Sequence, residues 1–127
     1  MANRYFSQFQ LSLEKQVAHL FGRMTIGASG APTLDVSNSK GIASITRSAS
    51  GKYVITLSDT YNRFLGINAT RITASASSAP SMYVVSEQVG TAGAPQITVQ
   101  FNSAGTAADP ASGEDIRFHI ILKNSAV

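Results

Sequence analysis

The stretch Arg47–Thr56, RSASGKYVIT, decides how the rest of the chain is read. A Gly-Lys pair ahead of an apolar run has the outline of a phosphate-binding loop. That motif needs a second glycine five residues before Gly51, where the chain has Thr46, and Ser or Thr after Lys52, where it has Tyr53. It also needs a helix behind it, so that backbone N–H groups converge on the phosphates. KYVITLS is instead a strand: β-branched residues dominate, and Tyr53, Ile55 and Leu57 alternate with Lys52, Val54 and Thr56. IASITR, just before, has the same character. The intervening SASG suits a hairpin, with Gly51 able to supply a positive φ. The stretch predicts a bend between two antiparallel strands and no ligand cradle.

The alternation continues outward from this hairpin. VAHLFGRMTIG (17–27) places Leu20, Met24 and Ile26 on one face around Gly22, with His19, Phe21, Arg23 and Thr25 on the other. TLDV (33–36) and MYVVSEQV (82–89) are shorter strands, and FLGINATRITA (64–74) is a strand interrupted by Gly66, the sign of a bulge or a close backbone approach. QITVQFN (96–102) alternates through Ile97, Val99 and Phe101, and IRFHIILKN (116–124) through Ile116, Phe118, Ile120 and Leu122. Segments rich in Gly, Pro, Ser and Ala separate them, among them GASGAP, SNSKG, SASSAPS, GTAGAP and the long SAGTAADPASGED. Roughly seven to nine short strands without an internal helix predict an all-β, antiparallel sandwich. The long connections favour crossings between sheets, hence a jelly-roll or Greek-key arrangement over a simple meander.

Residues 1–16 stand apart. Tyr5, Phe6 and Phe9 crowd together, and Phe9, Leu11 and Leu13 alternate, which reads as an extended N-terminal arm or a first strand. A helix through LSLEKQVAHLF competes, since Leu13, Val17 and Leu20 also fit a helical face. The expected division is 1–16 as arm or first strand and 17–127 as one sandwich domain. An exposed aromatic arm needs something to pack against. It either docks on a neighbouring subunit or partner, or completes its own sandwich.

Composition narrows the function classes. A chain of 127 residues fits one domain and needs no staple to fold. It has no cysteine, which removes disulfides, thiol chemistry and cysteine-ligated metals. The net charge is +3, and the ten basic residues are scattered singly, unlike the stripe of a nucleic-acid binder. No segment approaches the run of about 20 apolar residues that spans a bilayer. No signal peptide is apparent, so the chain is expected to be made in the cytoplasm and used without secretion. Charged residues are 13% of the chain, against a usual share of about 25%. A surface this sparsely charged resists contact poorly and suits one that meets a partner.

The residues offer little chemistry. The carboxylates are Glu14, Asp35, Asp59, Glu87, Asp109, Glu114 and Asp115, with no pair placed for glycoside hydrolysis. Glu114 and Asp115 are adjacent and point to opposite faces of a strand. His19 and His119 could form a pair or hold a metal, but a metal site normally takes three or more protein ligands, so both read as surface or interface histidines. DPASGED lacks the calcium-loop register, and Asp109-Pro110 reads as the start of a turn. No G-x-S-x-G elbow supports a serine hydrolase. Neither a catalytic residue, a cofactor nor a metal is expected. Tyr61, Arg63 and Phe64 in DTYNRFLG could line a carbohydrate site or plug a corner between sheets.

MANRYFSQFQLSLEK, GIASITRSASGKYVITLSDTYNRFLG and the late segment from MYVVSEQVG to the end resemble small structural proteins of tailed bacteriophages, the capsid decoration or cement proteins. The resemblance covers most of the chain and rests on patterns of strands and turns. It implies a jelly-roll-like virion protein that binds the outside of the head, bridges neighbouring major capsid proteins and self-associates as a homodimer or homotrimer, without nucleic acid or membrane as partner. Candidate partner-binding residues are Arg4, Tyr5, Phe6, Phe9, Tyr61, Arg63 and Phe64. The alternative is a carbohydrate- or receptor-binding module of a phage tail or fibre.

Overall fold

In the computed structural model, which describes residues 17–73 and 81–124, the hairpin at 47–56 forms as expected. Strands β3 (Ile42–Ala49) and β4 (Lys52–Leu57) pair antiparallel, with Ile45 opposite Ile55 and Arg47 opposite Tyr53. The other strands are β1 (Val17–Ile26), β2 (Pro32–Leu34), β5 (Arg63–Ile72), β6 (Ser81–Gln88), β7 (Gln96–Ser103), β8 (Thr106–Ala107) and β9 (Asp115–Lys123). Two short 3-10 turns, Ala28–Gly30 and Val36–Asn38, flank β2, and Asp35 caps the second by accepting from the Asn38 N–H. The expectations for residues 1–16 fall outside the described residues.

The nine strands of the described residues make two antiparallel sheets, a β-sandwich. Sheet A runs β2-β1-β9-β5. Sheet B runs β3-β4-β7-β6, with β8 paired to the end of β7. The chain crosses between sheets at β2–β3, β4–β5, β5–β6 and β8–β9; of the long connections expected to cross, those before β6 and before β9 do, while GASGAP (27–32) joins β1 to β2 within sheet A. The alternating faces read from the sequence are the ones that meet: Leu20, Met24 and Ile26 from β1, Tyr53, Ile55 and Leu57 from β4, Ile97, Val99 and Phe101 from β7, and Ile116, Phe118, Ile120 and Leu122 from β9 are all buried. Each large side chain removed from water contributes about 1.5–3 kcal/mol. An exposed ion pair contributes about 0–1 kcal/mol. The inner stripes therefore set the architecture, and the polar contacts refine it.

The long segment after β7 departs from the sequence reading. SAGTAADPASGED contains the two-residue strand β8, and Asp109 does more than open a turn. Its carboxylate accepts both arms of the Arg47 guanidinium, at 2.9 and 2.8 Å, and the Gly51 N–H at 2.8 Å. The Tyr53 hydroxyl lies 3.3 Å away and donates to Gly30 O at 2.8 Å. All three of Arg47, Gly51 and Tyr53 come from the hairpin stretch. Gly51 sits at φ 73°, and a side chain there would run into Phe101 O and the Ala108 backbone, so the turn accepts only glycine without rearrangement. A few residues on, Glu114 is clamped on the other sheet. Arg71 Nε and Nη2 each reach its carboxylate at 3.0 Å, and Ile26 N–H donates to Glu114 O at 3.0 Å.

Asp109 gathers the most side-chain hydrogen bonds in this crossing among the described residues. Hydrogen bonds to a charged group are worth about 1.5–3 kcal/mol, more when loss leaves the partners unpaired. Replacing Asp109 by Ala should lower stability by about 2–3 kcal/mol in urea unfolding, and Asp109→Asn by less, since an amide oxygen can still accept from Gly51.

The hydrogen bond from Arg47, outweighing burial and helped by the Gly51 N–H, holds the Asp109 carboxyl below its ordinary value of 3.8. A depressed carboxyl stabilises the fold above its unfolded value and loses that contribution as pH falls through the folded one. Wild-type stability should therefore decline below about pH 4, and Asp109→Asn should show a shallower decline over the same range, read from urea midpoints at successive pH values.

Candidate functional site

The exposed side of sheet A is assembled from three strands far apart in sequence. The β1–β9 register sets Phe21 opposite His119 and Arg23 opposite Arg117. The β5–β9 register adds Asn68 opposite His119, Thr70 opposite Arg117 and Ile72 opposite Asp115. Inward neighbours on the same strands fill the core, so strand alternation forces these residues outward. A side chain at Gly22 would meet the end of the Ile42 side chain.

Three features mark this face. First, it carries large apolar groups in water: Phe21 is 51% exposed and Ile72 46%. Leu65, 50% exposed, is the extra residue of the β5 bulge between Phe64 and Gly66. Second, aromatic rings stack across the β1–β9 boundary. Phe21 lies 4.9 Å from His119, nearly parallel at 8°, while His19 meets His119 edge to edge, its ring centre 5.2 Å away and its plane tilted by 22°. His19 Nδ1 and His119 Nε2 approach to 2.9 Å, with one nitrogen donating to the other. Third, the charges are tied into a network. Arg23 contacts Asp35 at 3.2 Å and Asp115 at 3.0 Å, while Arg117 contacts Asp115 at 3.3 Å. Burial opposes the charge on Asp115, and the hydrogen bonds from Arg23 and Arg117 outweigh it, leaving its carboxyl below the ordinary range. Asp35 is likewise lowered, chiefly by the Asn38 side chain. A shallow hollow of about 420 Å³ opens between Phe21, Arg23, Asn38 and Arg117.

The residues singled out in the sequence scatter. Arg4, Tyr5, Phe6 and Phe9 lie outside the described residues. Tyr61 is buried in the core, its N–H donating to Val89 O at 2.9 Å, and burial raises its hydroxyl pKa. Phe64 packs against the core, so Tyr61 and Phe64 form the corner plug between sheets. Arg63 is exposed at the start of β5, opposite Lys123, and lines a second hollow of about 370 Å³ with Phe64 and residues 87–91. The sequence put His19, Phe21 and Arg23 on one face. Their meeting with His119 and Arg117 needed the β1–β9 pairing, which no local pattern announces.

No known protein family, curated protein or solved structure matches the chain.

The exposed position of Phe21 has a measurable consequence. Phe21→Ala should cost less than about 1 kcal/mol of stability, as surface substitutions do. Phe118→Ala, one strand away but facing inward, should cost about 3–5 kcal/mol, both read from thermal or urea unfolding.

Proposed function

We propose that this protein is a structural component of a phage virion, binding the outer surface of the head and cementing neighbouring major capsid proteins. The observation that carries this reading is the apolar and cationic outer face of sheet A. It presents Phe21, Leu65 and Ile72 beside Arg23, Arg117 and Lys123 on a rigid, layered scaffold. Partner-binding surfaces favour aromatic and arginine anchors of this kind over charged rims. A bridging clamp needs a shape-matched surface more than it needs a deep cavity.

Two further features support contact through faces. β2, β3, β5 and β6 flank the sheets, and among the described residues every register irregularity falls on one of them: Ala43 and Ser48 on β3, Leu65 on β5 and Val85 on β6 are the extra residues. Bulges at edges discourage strand-to-strand addition. The chain also enters sheet A at Val17, which pairs with Lys123, in the same row as Arg63. The aromatic segment with Arg4, Tyr5, Phe6 and Phe9 precedes Val17 in the chain. In this reading the segment and the face grip adjacent capsid subunits, and copies of the chain meet about a symmetry axis of the shell.

Deleting residues 2–13 should lower occupancy on purified heads at least tenfold while leaving the unfolding midpoint of the isolated protein in place. Full occupancy of the shortened chain would remove the segment from the mechanism, and failure of the intact chain to bind heads would overturn the assignment.

A further inference from the structure

We propose that Tyr83, Gln100 and Lys52 form a binding site for a neutral glycan on the outer face of sheet B. The register brings them into one row: Lys52 on β4 and Tyr83 on β6 both pair with Gln100 on β7. Val99 and Phe101, on either side of Gln100, are buried in the core, so Gln100 and its partners across the sheet point outward. Tyr83 leaves 47% of its surface in water and stands near the exposed bulge residue Val85. Lys52 and Tyr83 lie two strand spacings apart, about 10 Å, a span that suits a chain of sugars better than a single ring.

The row is organised in advance. Gln100 Nε2 donates to the Tyr83 hydroxyl at 2.6 Å and to Asn102 Oδ1 at 2.9 Å. Asn102 is only 8% exposed, so it holds the Gln100 amide from its covered side. These two bonds use both N–H groups of the amide and leave Gln100 Oε1 without a partner among the described residues. The Tyr83 hydroxyl accepts from Gln100 and keeps its own hydrogen to donate. Lys52 makes no ion pair among the described residues. A tethered aromatic ring thus stands beside an open acceptor, a hydroxyl donor and an ammonium group. A sugar matches that set, because its C–H groups lie against the negative face of a ring while its hydroxyls both donate and accept.

The rest of the face selects the occupant. The next outward row holds Thr46, Val54 and Thr98, and the one after it Thr56, Gln96 and Gln88. Among these described rows Lys52 carries the one charge, and hydroxyls and amides supply nearly everything else. A protein partner favours aromatic and arginine anchors of the kind sheet A presents. A nucleic acid needs several cations along its backbone. A neutral, hydroxyl-rich chain needs neither, and it meets matching donors and acceptors across the whole face. The outer faces of two packed sheets point in opposite directions, so a molecule held through sheet A keeps this site turned to solution. The inference stands independently of the virion reading.

The test titrates the full-length, isotope-labelled protein with millimolar cellohexaose, mannohexaose, chitohexaose and maltohexaose, and with heparin as an anionic counterpart, following assigned NMR signals. At least one neutral hexasaccharide should shift the backbone signals of Tyr83 and Gln100 and the side-chain amide of Gln100, with Phe21 and His119 on the opposite face unmoved. That affinity should be the same in low and high salt. Tyr83→Ala and Gln100→Ala should each weaken it at least fivefold, and Tyr83→Phe, which keeps the ring, should weaken it less than Tyr83→Ala. No shift with any neutral hexasaccharide, shifts confined to other surfaces, binding of heparin alone, or losses below fivefold in both alanine variants overturn the site. The wild-type map decides the matter even if a variant fails to fold.

Discussion

One carboxylate fixes where the chain leaves sheet B on its way to the centre of sheet A. Asp109 sits in the segment that carries the chain from β8 in sheet B to β9 in sheet A, and it is held by Arg47, Gly51 and, more loosely, Tyr53 at the β3–β4 hairpin. Five residues later, Glu114 is held by Arg71 on the opposite sheet, its side chain 4% exposed. The crossing is therefore pinned on sheet B before it reaches sheet A. This matters because β9 is central: β1 and β5 both pair with it along nearly its whole length, and neither pairs with the other. A slip in the crossing would move the strand that both neighbours read for their register. A shift of one residue turns every inward side chain outward.

The two clamps differ in kind. Asp109 and Arg47 are partly open to water, so their pairing is screened, and its value comes from the extra donors on one carboxylate. Arg71 and Glu114 are more deeply covered, and the Arg71 guanidinium also lies 5.7 Å from the centre of the Phe101 ring. Pairing two charges out of water gains little net stability, while leaving one alone is costly. The buried pair thus acts less as a source of stability than as a condition that the correct crossing satisfies. Among the described residues no buried side-chain polar atom lacks a partner, so these ties are consistent with a single packing of the core.

A sandwich has to manage both its edges and its faces. Here three of the four edge strands, β3, β5 and β6, are bulged, and Leu65 and Val85, two of the exposed large apolar residues, are themselves bulge residues. The outer face of sheet A is treated differently. Its register is regular from β1 to β9, and its apolar and cationic groups lie in ordered rows. Regular, two-sided strands with one dry face and one decorated face make a stiff platform, since moving any outward residue means moving its inward neighbour in a close-packed core. That stiffness suits a surface for gripping another protein, and it holds the His19–His119 pair at a fixed separation.

Much of the fold was legible in the chain. Period-two alternation marked β1, β4, β7 and β9 and named their buried faces, because side chains on a strand point alternately to two sides whatever the tertiary context. RSASGKYVIT declared itself a hairpin through Gly51 and its β-branched neighbours, and Gly66 marked the bulge. What the alternation could not supply was partnership. The β8 pairing, the role of Asp109, the burial of Tyr61 and the meeting of His19 with His119 all depend on which strands lie side by side. Those contacts join residues as much as 100 positions apart. Local sequence dictates which way a side chain points, since that follows from backbone geometry. What it points at is decided only when the sheets close over a shared core, because that choice belongs to the packing of the whole chain.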